Sequence, residues 1–120
     1  MEVGSVSGQI DSLQMPMEAK NSLATIVETI SGEETVQRII LFGSYAYGTA
    51  TEYSDLDVAV LADCGADAEI STRTYLRKKI GAKVLFPMDF IVLDTQKFNA
   101  MYQSRHDLAV DIFERGIPIS

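Results

Sequence analysis

From Pro16 onward the chain switches between two hydrophobic rhythms. Leu23, Ile26, Val27 and Ile30 recur at i, i+3, i+4 and i+7, which places them on one face of an amphipathic helix. Pro16 suits the first turn of that helix, and Ser31-Gly32 stops it. Val36–Phe42, VQRIILF, is instead a short run of β-branched and large apolar residues, the pattern of a strand, and Gly43 ends it. Asp55–Leu61, DLDVAVL, reads as a second strand. Alternation puts Asp55, Asp57, Ala59 and Leu61 on one face and Leu56, Val58 and Val60 on the other.

Asp63–Asp67 has the composition of a turn, and Ala68–Ile80 that of a helix. Its basic end, Arg77-Lys78-Lys79, complements the helix dipole, and Gly81 follows as a C-cap. Val84–Leu93, VLFPMDFIVL, is predicted as a third strand, with Pro87 calling for an edge position or an entry bend. Asp94 or Thr95 caps a last helical region whose stripe runs through Phe98, Met101, Tyr102, Arg105, Ala109, Ile112 and Phe113. A break falls near Ser104–Asp107, and Gly116 and Pro118 close the region. The expected fold class is α/β (α+β), a small mixed sheet flanked by helices. Residues 1–14 are Gly/Ser-rich and expected to be loose, leaving 15–120 as a single domain.

Composition narrows the classes. At 120 residues, 47% hydrophobic and 22% charged, the chain has the make-up of one globular domain. It contains no apolar run of membrane-spanning length, and its first residues lack a signal-peptide pattern. The single cysteine, Cys64, cannot form an internal disulfide, so the cytoplasm is the expected location. A net charge of −7 repels polyanions, which argues against direct nucleic-acid binding. It fits carboxylates that hold cations, or a surface that meets a basic partner.

Three carboxylates stand where charge is expensive. Asp55 and Asp57 share a strand face about 7 Å apart, and Asp89 interrupts the apolar third strand between Met88 and Phe90. If the strands are neighbours the three converge, each pair at about 7 Å repelling by roughly 2 kcal/mol at an effective dielectric of about 20. A divalent cation resolves that conflict, and an all-oxygen set favours Mg²⁺ or Mn²⁺ over Zn²⁺. Gly43 lets the backbone approach a ligand closely, and Ser44 offers a hydroxyl at a short helical turn suited to phosphate. No Gly-Lys-Ser/Thr follows, so this is not a Walker-type loop, and the acidic alternation ends too early for an EF-hand. Any one of these features alone is an ordinary turn or edge residue; together they point to a metal-bound nucleoside triphosphate.

The segment GSYAYGTATEYSDLD, residues 43–57, resembles the signature of the nucleotidyltransferase superfamily typified by DNA polymerase β, and Asp89 in PMDFIV matches that superfamily's third aspartate. The chain is similar to the minimal nucleotidyltransferases, often antitoxin partners of HEPN-domain toxins. The resemblance implies the polymerase β-like nucleotidyltransferase fold, with Asp55 and Asp57 ligating two Mg²⁺ ions and Asp89 completing one site and helping to activate an acceptor hydroxyl. It implies that Gly43 and Ser44 hold the triphosphate, and that AMP passes from ATP to a hydroxyl supplied in trans by a HEPN-type partner. The departure is in the loop. Many minimal members read Gly-Ser-Arg-x-Arg-Gly where this chain has GSYAYG, so Tyr45 and Tyr47 stand in place of cations. Arg73, Lys78 or a partner is then expected to supply the charge.

The remaining features are blander. His106 reads as a surface residue at a bend, and Arg73, Arg77, Lys78 and Lys79 as a solvated helix face. Tyr45, Tyr47 and Tyr53 border the site as loop anchors, base-stacking groups or nucleotide acceptors. The stripe of Phe98, Met101 and Ile112 is core or a contact between copies in a homo-oligomer. Two other functions stay open from sequence: a catalytically weak module that neutralises a partner by binding alone, and transfer to a small molecule such as an aminoglycoside.

Overall fold

The computed structural model describes residues 10–120. Most of the segment expected to be loose, 1–14, therefore lies outside the described residues; of its described part, Ile10 is buried against the core and Leu13 packs beside it. Helix α1, Met17–Ile30, buries Ala19, Ser22, Leu23, Ile26, Val27 and Ile30, the stripe its spacing predicts. Pro16 caps it from outside, and the Ser31 N–H closes it on Val27 O.

Strand β1 is Val36–Phe42, followed by the one-turn helix α2, Ser44–Tyr47. Strand β2 is Leu56–Ala62, and α3, Glu69–Ile80, carries the chain across to β3, Met88–Asp94. Helix α4 is Thr95–Gln103 and α5 is Asp107–Val110, which runs into a π-turn over Asp111–Arg115 and a two-residue strand β4, Ile117–Pro118. The sheet order is β3-β2-β1-β4, with β1 antiparallel to both neighbours and β2 parallel to β3. The mixed sheet is as expected, and the one parallel pair, β2–β3, is joined by a link long enough to hold the crossover helix α3.

Three boundaries differ from the sequence reading. Strand β3 begins at Met88 rather than Val84, because Pro87 has no N–H for the ladder; its carbonyl instead accepts the Leu56 N–H at 3.0 Å. The proline thus marks the start of an edge strand. Strand β2 begins at Leu56, leaving Asp55 just ahead of it. Strand β4 was not predicted, being too short to show any alternation. It is fixed by its partners: Ile119 donates to Ile39 O at 2.8 Å, and Ile39 N–H donates to Ser120 Oγ at 3.1 Å.

Each face of the sheet has its own core. Ile39, Leu41, Leu56, Val58, Val60, Phe90 and Val92 pack under α1 and the Leu76–Ile80 side of α3. Ile40, Ala59, Leu61 and Leu93 pack under Phe98, Ala109 and Ile112 of the C-terminal helices. Period-two alternation assigns Asp57 and Asp89 to this second face, at the end the helices leave uncovered. The outer edge of β3 is guarded by α3: Arg73 Nε donates to Phe90 O at 2.6 Å, and Glu69 Oε2 accepts the Asp94 N–H at 2.8 Å.

Candidate active site

Three strand ends make the site. The parallel register pairs Asp57 of β2 with Asp89 of β3, and the antiparallel register pairs the same Asp57 with Phe42, the last residue of β1. Asp57 is therefore the middle of the cluster. Gly43 follows Phe42 with φ 75° and ψ −160°, a conformation that L side chains rarely adopt. A Cβ placed there would lie 2.7 Å from Asp57 Cγ and closer still to Oδ2, so the glycine backbone rests directly against the carboxylate. Gly43 is required twice over, for its torsion and for its lack of a side chain.

Helix α2 grows from this contact. Gly43 O accepts the N–H groups of Ala46 and Tyr47, both at 3.0 Å, and Gly48 at φ 80° ends the turn. The chain then returns through a turn in which Ser54 Oγ accepts the Thr51 N–H at 2.8 Å, delivering Asp55 to the start of β2.

The electrostatics follow from the crowding. Burial pushes the half-buried Asp57 carboxyl above the ordinary range, and repulsion from Asp89 and then Asp55 pushes it further, with a hydrogen-bond contribution from Asp89. Among the described residues no group of three or more His, Cys, Asp or Glu side chains stands in an arrangement that would hold a metal ion. The donor set nonetheless fits a hard divalent cation: the oxygens are all carboxylate, and their mutual repulsion reaches Asp57 from both sides. Asp55 and Asp89 are both exposed, on either side of the half-buried Asp57. Of the five residues expected at the site, Asp57, Asp89 and Gly43 are brought together by strand register and Gly43–Asp57 contact. Asp55 is tied in by its charge on Asp57, and Ser44 by following Gly43 directly.

Of the cations expected to serve this site, Arg73 is committed elsewhere. No Lys or Arg occurs between Arg38 and Arg73. Arg73 is spent on the Phe90 carbonyl, on the outer edge of β3, so it is a guard of that edge and not simply a solvated charge. Lys78, the other candidate, is exposed on α3, and its neighbour Lys79 pairs with Glu33. Sequence reasoning missed Arg115, whose guanidinium carbon lies 3.7 Å from the centre of the Tyr47 ring. No local motif marks it, because the residues it meets are far away in sequence.

The tyrosines divide. Tyr45 is buried and meets Phe86 edge to face at 6.3 Å, an anchor beneath the loop. Tyr47 carries Arg115, and Tyr53 is 86% exposed, accessible to a ligand or partner. His106 is at the surface as expected, and there it caps α5, its Nδ1 accepting the Leu108 N–H at 3.3 Å.

Comparison with known proteins identifies the family. The family model for the nucleotidyltransferase domain matches residues 20–118. A Methanocaldococcus jannaschii protein, provisionally named a protein adenylyltransferase, is 38% identical over 64 residues, or 53% of this chain. The match spans 64% of that relative's length. A Sulfolobus solfataricus structure, provisionally described as a nucleotidyltransferase, superposes with a TM-score of 0.54 at 20% identity, covering 88% of this chain and 87% of that one. A chain of a toxin–antitoxin crystal structure with AMP-PNP also gives 0.54, at 23% identity over 83% of this chain and 71% of that one. These two structures establish the likeness of the fold.

Proposed function

The chain belongs to the nucleotidyltransferase-domain family, and from that premise we propose that it transfers AMP from magnesium-bound ATP to a hydroxyl of a protein supplied in trans. The observation that carries this reading is the register Asp57–Asp89 with the Gly43 backbone laid against Asp57, which sets carboxylates and a phosphate-accessible turn side by side.

Asp55, Asp57 and Asp89 would hold Mg²⁺, two ions in the fullest form, with Mn²⁺ as a substitute. Bound there, magnesium neutralises carboxylates and triphosphate together and eases the departure of pyrophosphate. Gly43 and Ser44 orient the triphosphate tail, Gly43 by bringing its backbone close and Ser44 through its hydroxyl. Asp89, the exposed carboxylate on the edge strand, accepts the proton of the incoming hydroxyl. The acceptor oxygen bonds to the α-phosphorus as the bond from that phosphorus to its bridging oxygen breaks. Pyrophosphate is the leaving group.

A HEPN-type toxin is the partner this reading names, with the chain as its antitoxin in the cytoplasm. Support comes from the likeness of residues 43–57 to minimal nucleotidyltransferases, from the protein-adenylyltransferase name of the M. jannaschii relative, and from the fold shared with a toxin–antitoxin chain. No helix among the described residues is long and apolar enough to cross a membrane. The test is label transfer to a co-purified HEPN-type partner with magnesium and ATP labelled at the α- or the γ-phosphate. The reading predicts protein labelling from α only, absent in Asp57→Asn. Equal labelling by Asp57→Asn refutes it.

A further inference from the structure

A triphosphate brought to three carboxylates needs positive charge beyond the metal, and the segment that forms the site, Gly43–Asp57, has none. We infer that Arg115, held by the ring of Tyr47, binds the triphosphate tail of the donor nucleotide. This rests on the nucleotide-donor reading of the site.

Two independent features place Arg115 there. The first is the stack: its guanidinium lies 3.7 Å over the ring of Tyr47, on the same one-turn helix that Gly43 and Ser44 begin. The second is register. β4 pairs Leu41 with Ile117 and Ile40 with Pro118, so the helical turn Asp111–Arg115, joined to that strand by Gly116 alone, is held at the Phe42–Gly43 end of β1. The tightness of Gly116 agrees: a Cβ there would come within 2.6 Å of Ile40 Cγ2 and 3.2 Å of Leu41 O. The last turn of the chain is thus pressed onto the end of β1, and its final side chain is delivered to the phosphate turn.

The arginine is restrained without being used up. Its only ion pair among the described residues is a 3.8 Å contact with Asp111, one helical turn back and half-exposed. Such pairs are weak, and the arginine side chain is 57% exposed. Stacking on Tyr47 fixes the plane of the guanidinium and leaves its N–H edge free to meet phosphate oxygens in bidentate fashion. Tyr47 acts through Arg115 and is a positioning residue.

The test is calorimetric titration of AMP, ADP and ATP, each with magnesium, into the wild type, Arg115→Gln, Arg115→Lys, Tyr47→Phe and Tyr47→Leu. Arg115→Gln is expected to weaken ATP by roughly 10- to 100-fold and to leave AMP affinity and nucleotide-free thermal unfolding unchanged. Arg115→Lys falls between, Tyr47→Phe binds as wild type does, and Tyr47→Leu follows Arg115→Gln. If Arg115→Gln binds ATP as tightly as the wild type, or loses AMP and ATP equally, the inference is overturned while the donor site stands. A wild type that binds no triphosphate overturns both.

Discussion

Asp57 and Asp89 are register partners on adjacent parallel strands, on the same face of the sheet. Side by side near the end of the sheet, with Asp57 partly screened from water, they cannot both be ionised without penalty.

The first consequence is a pH dependence. Asp57 binds its proton more tightly in the folded chain than in the unfolded one, so its contribution is fully present below the unfolded carboxyl value and is lost as pH rises through the raised folded value. In the absence of divalent cations, Asp57→Asn should therefore gain stability over the wild type, on the order of 1 kcal/mol at neutral pH, and little or nothing at pH 4. Urea denaturation across pH in chelator measures it. A variant no more stable than wild type at neutral pH contradicts the account of Asp57.

Gly43→Ala should be among the most damaging single changes. The new methyl would overlap the Asp57 carboxylate, and φ 75° disfavours any side chain. A loss of roughly 2–4 kcal/mol is expected, together with loss of nucleotide binding. Gly48→Ala is the control, since φ is 80° but nothing lies within 4 Å of the added carbon. It should cost about 1 kcal/mol and leave binding in place.

At the other end of the sheet Asp94 is held the opposite way. The Gly65 N–H at 2.7 Å and the Lys97 N–H at 3.2 Å both donate to it, and these backbone bonds pull its carboxyl below the ordinary range. Its contribution is present above the unfolded carboxyl value and is lost as pH falls through the lowered folded value. Asp94→Ala should lower Tm by several degrees at pH 7 and flatten the acid limb of stability below pH 4. An unchanged acid limb in the variant would show that Asp94 is not the group responsible.

Much of this was legible from residues alone. The i, i+3, i+4, i+7 stripe of α1 and the apolar run of β1 are local patterns, and both elements fall where the patterns put them. So is the demand of Gly43 and Asp57 for unusual surroundings, because glycine and carboxylate beside apolar strands each raise a question. What resisted reading was pairing. Nothing local in Ile117-Pro118 marks a strand; its existence depends on the open edge of β1. Arg115 drew no attention in the sequence, because its place over Tyr47 comes only from the tertiary fold. Conversely Arg73 looked available to phosphate, but α3 lies along β3 and commits it to a carbonyl.

The most direct measurement of the central claim is thermal and urea unfolding with magnesium-ATP, then the other triphosphates, for wild type and Asp57→Asn. A donor nucleotide at 100 times its Kd should add about 2.7 kcal/mol to the wild type. The account predicts that gain with magnesium, its loss in chelator, and its absence in Asp57→Asn. A gain that survives Asp57→Asn, or no gain with any triphosphate, contradicts it.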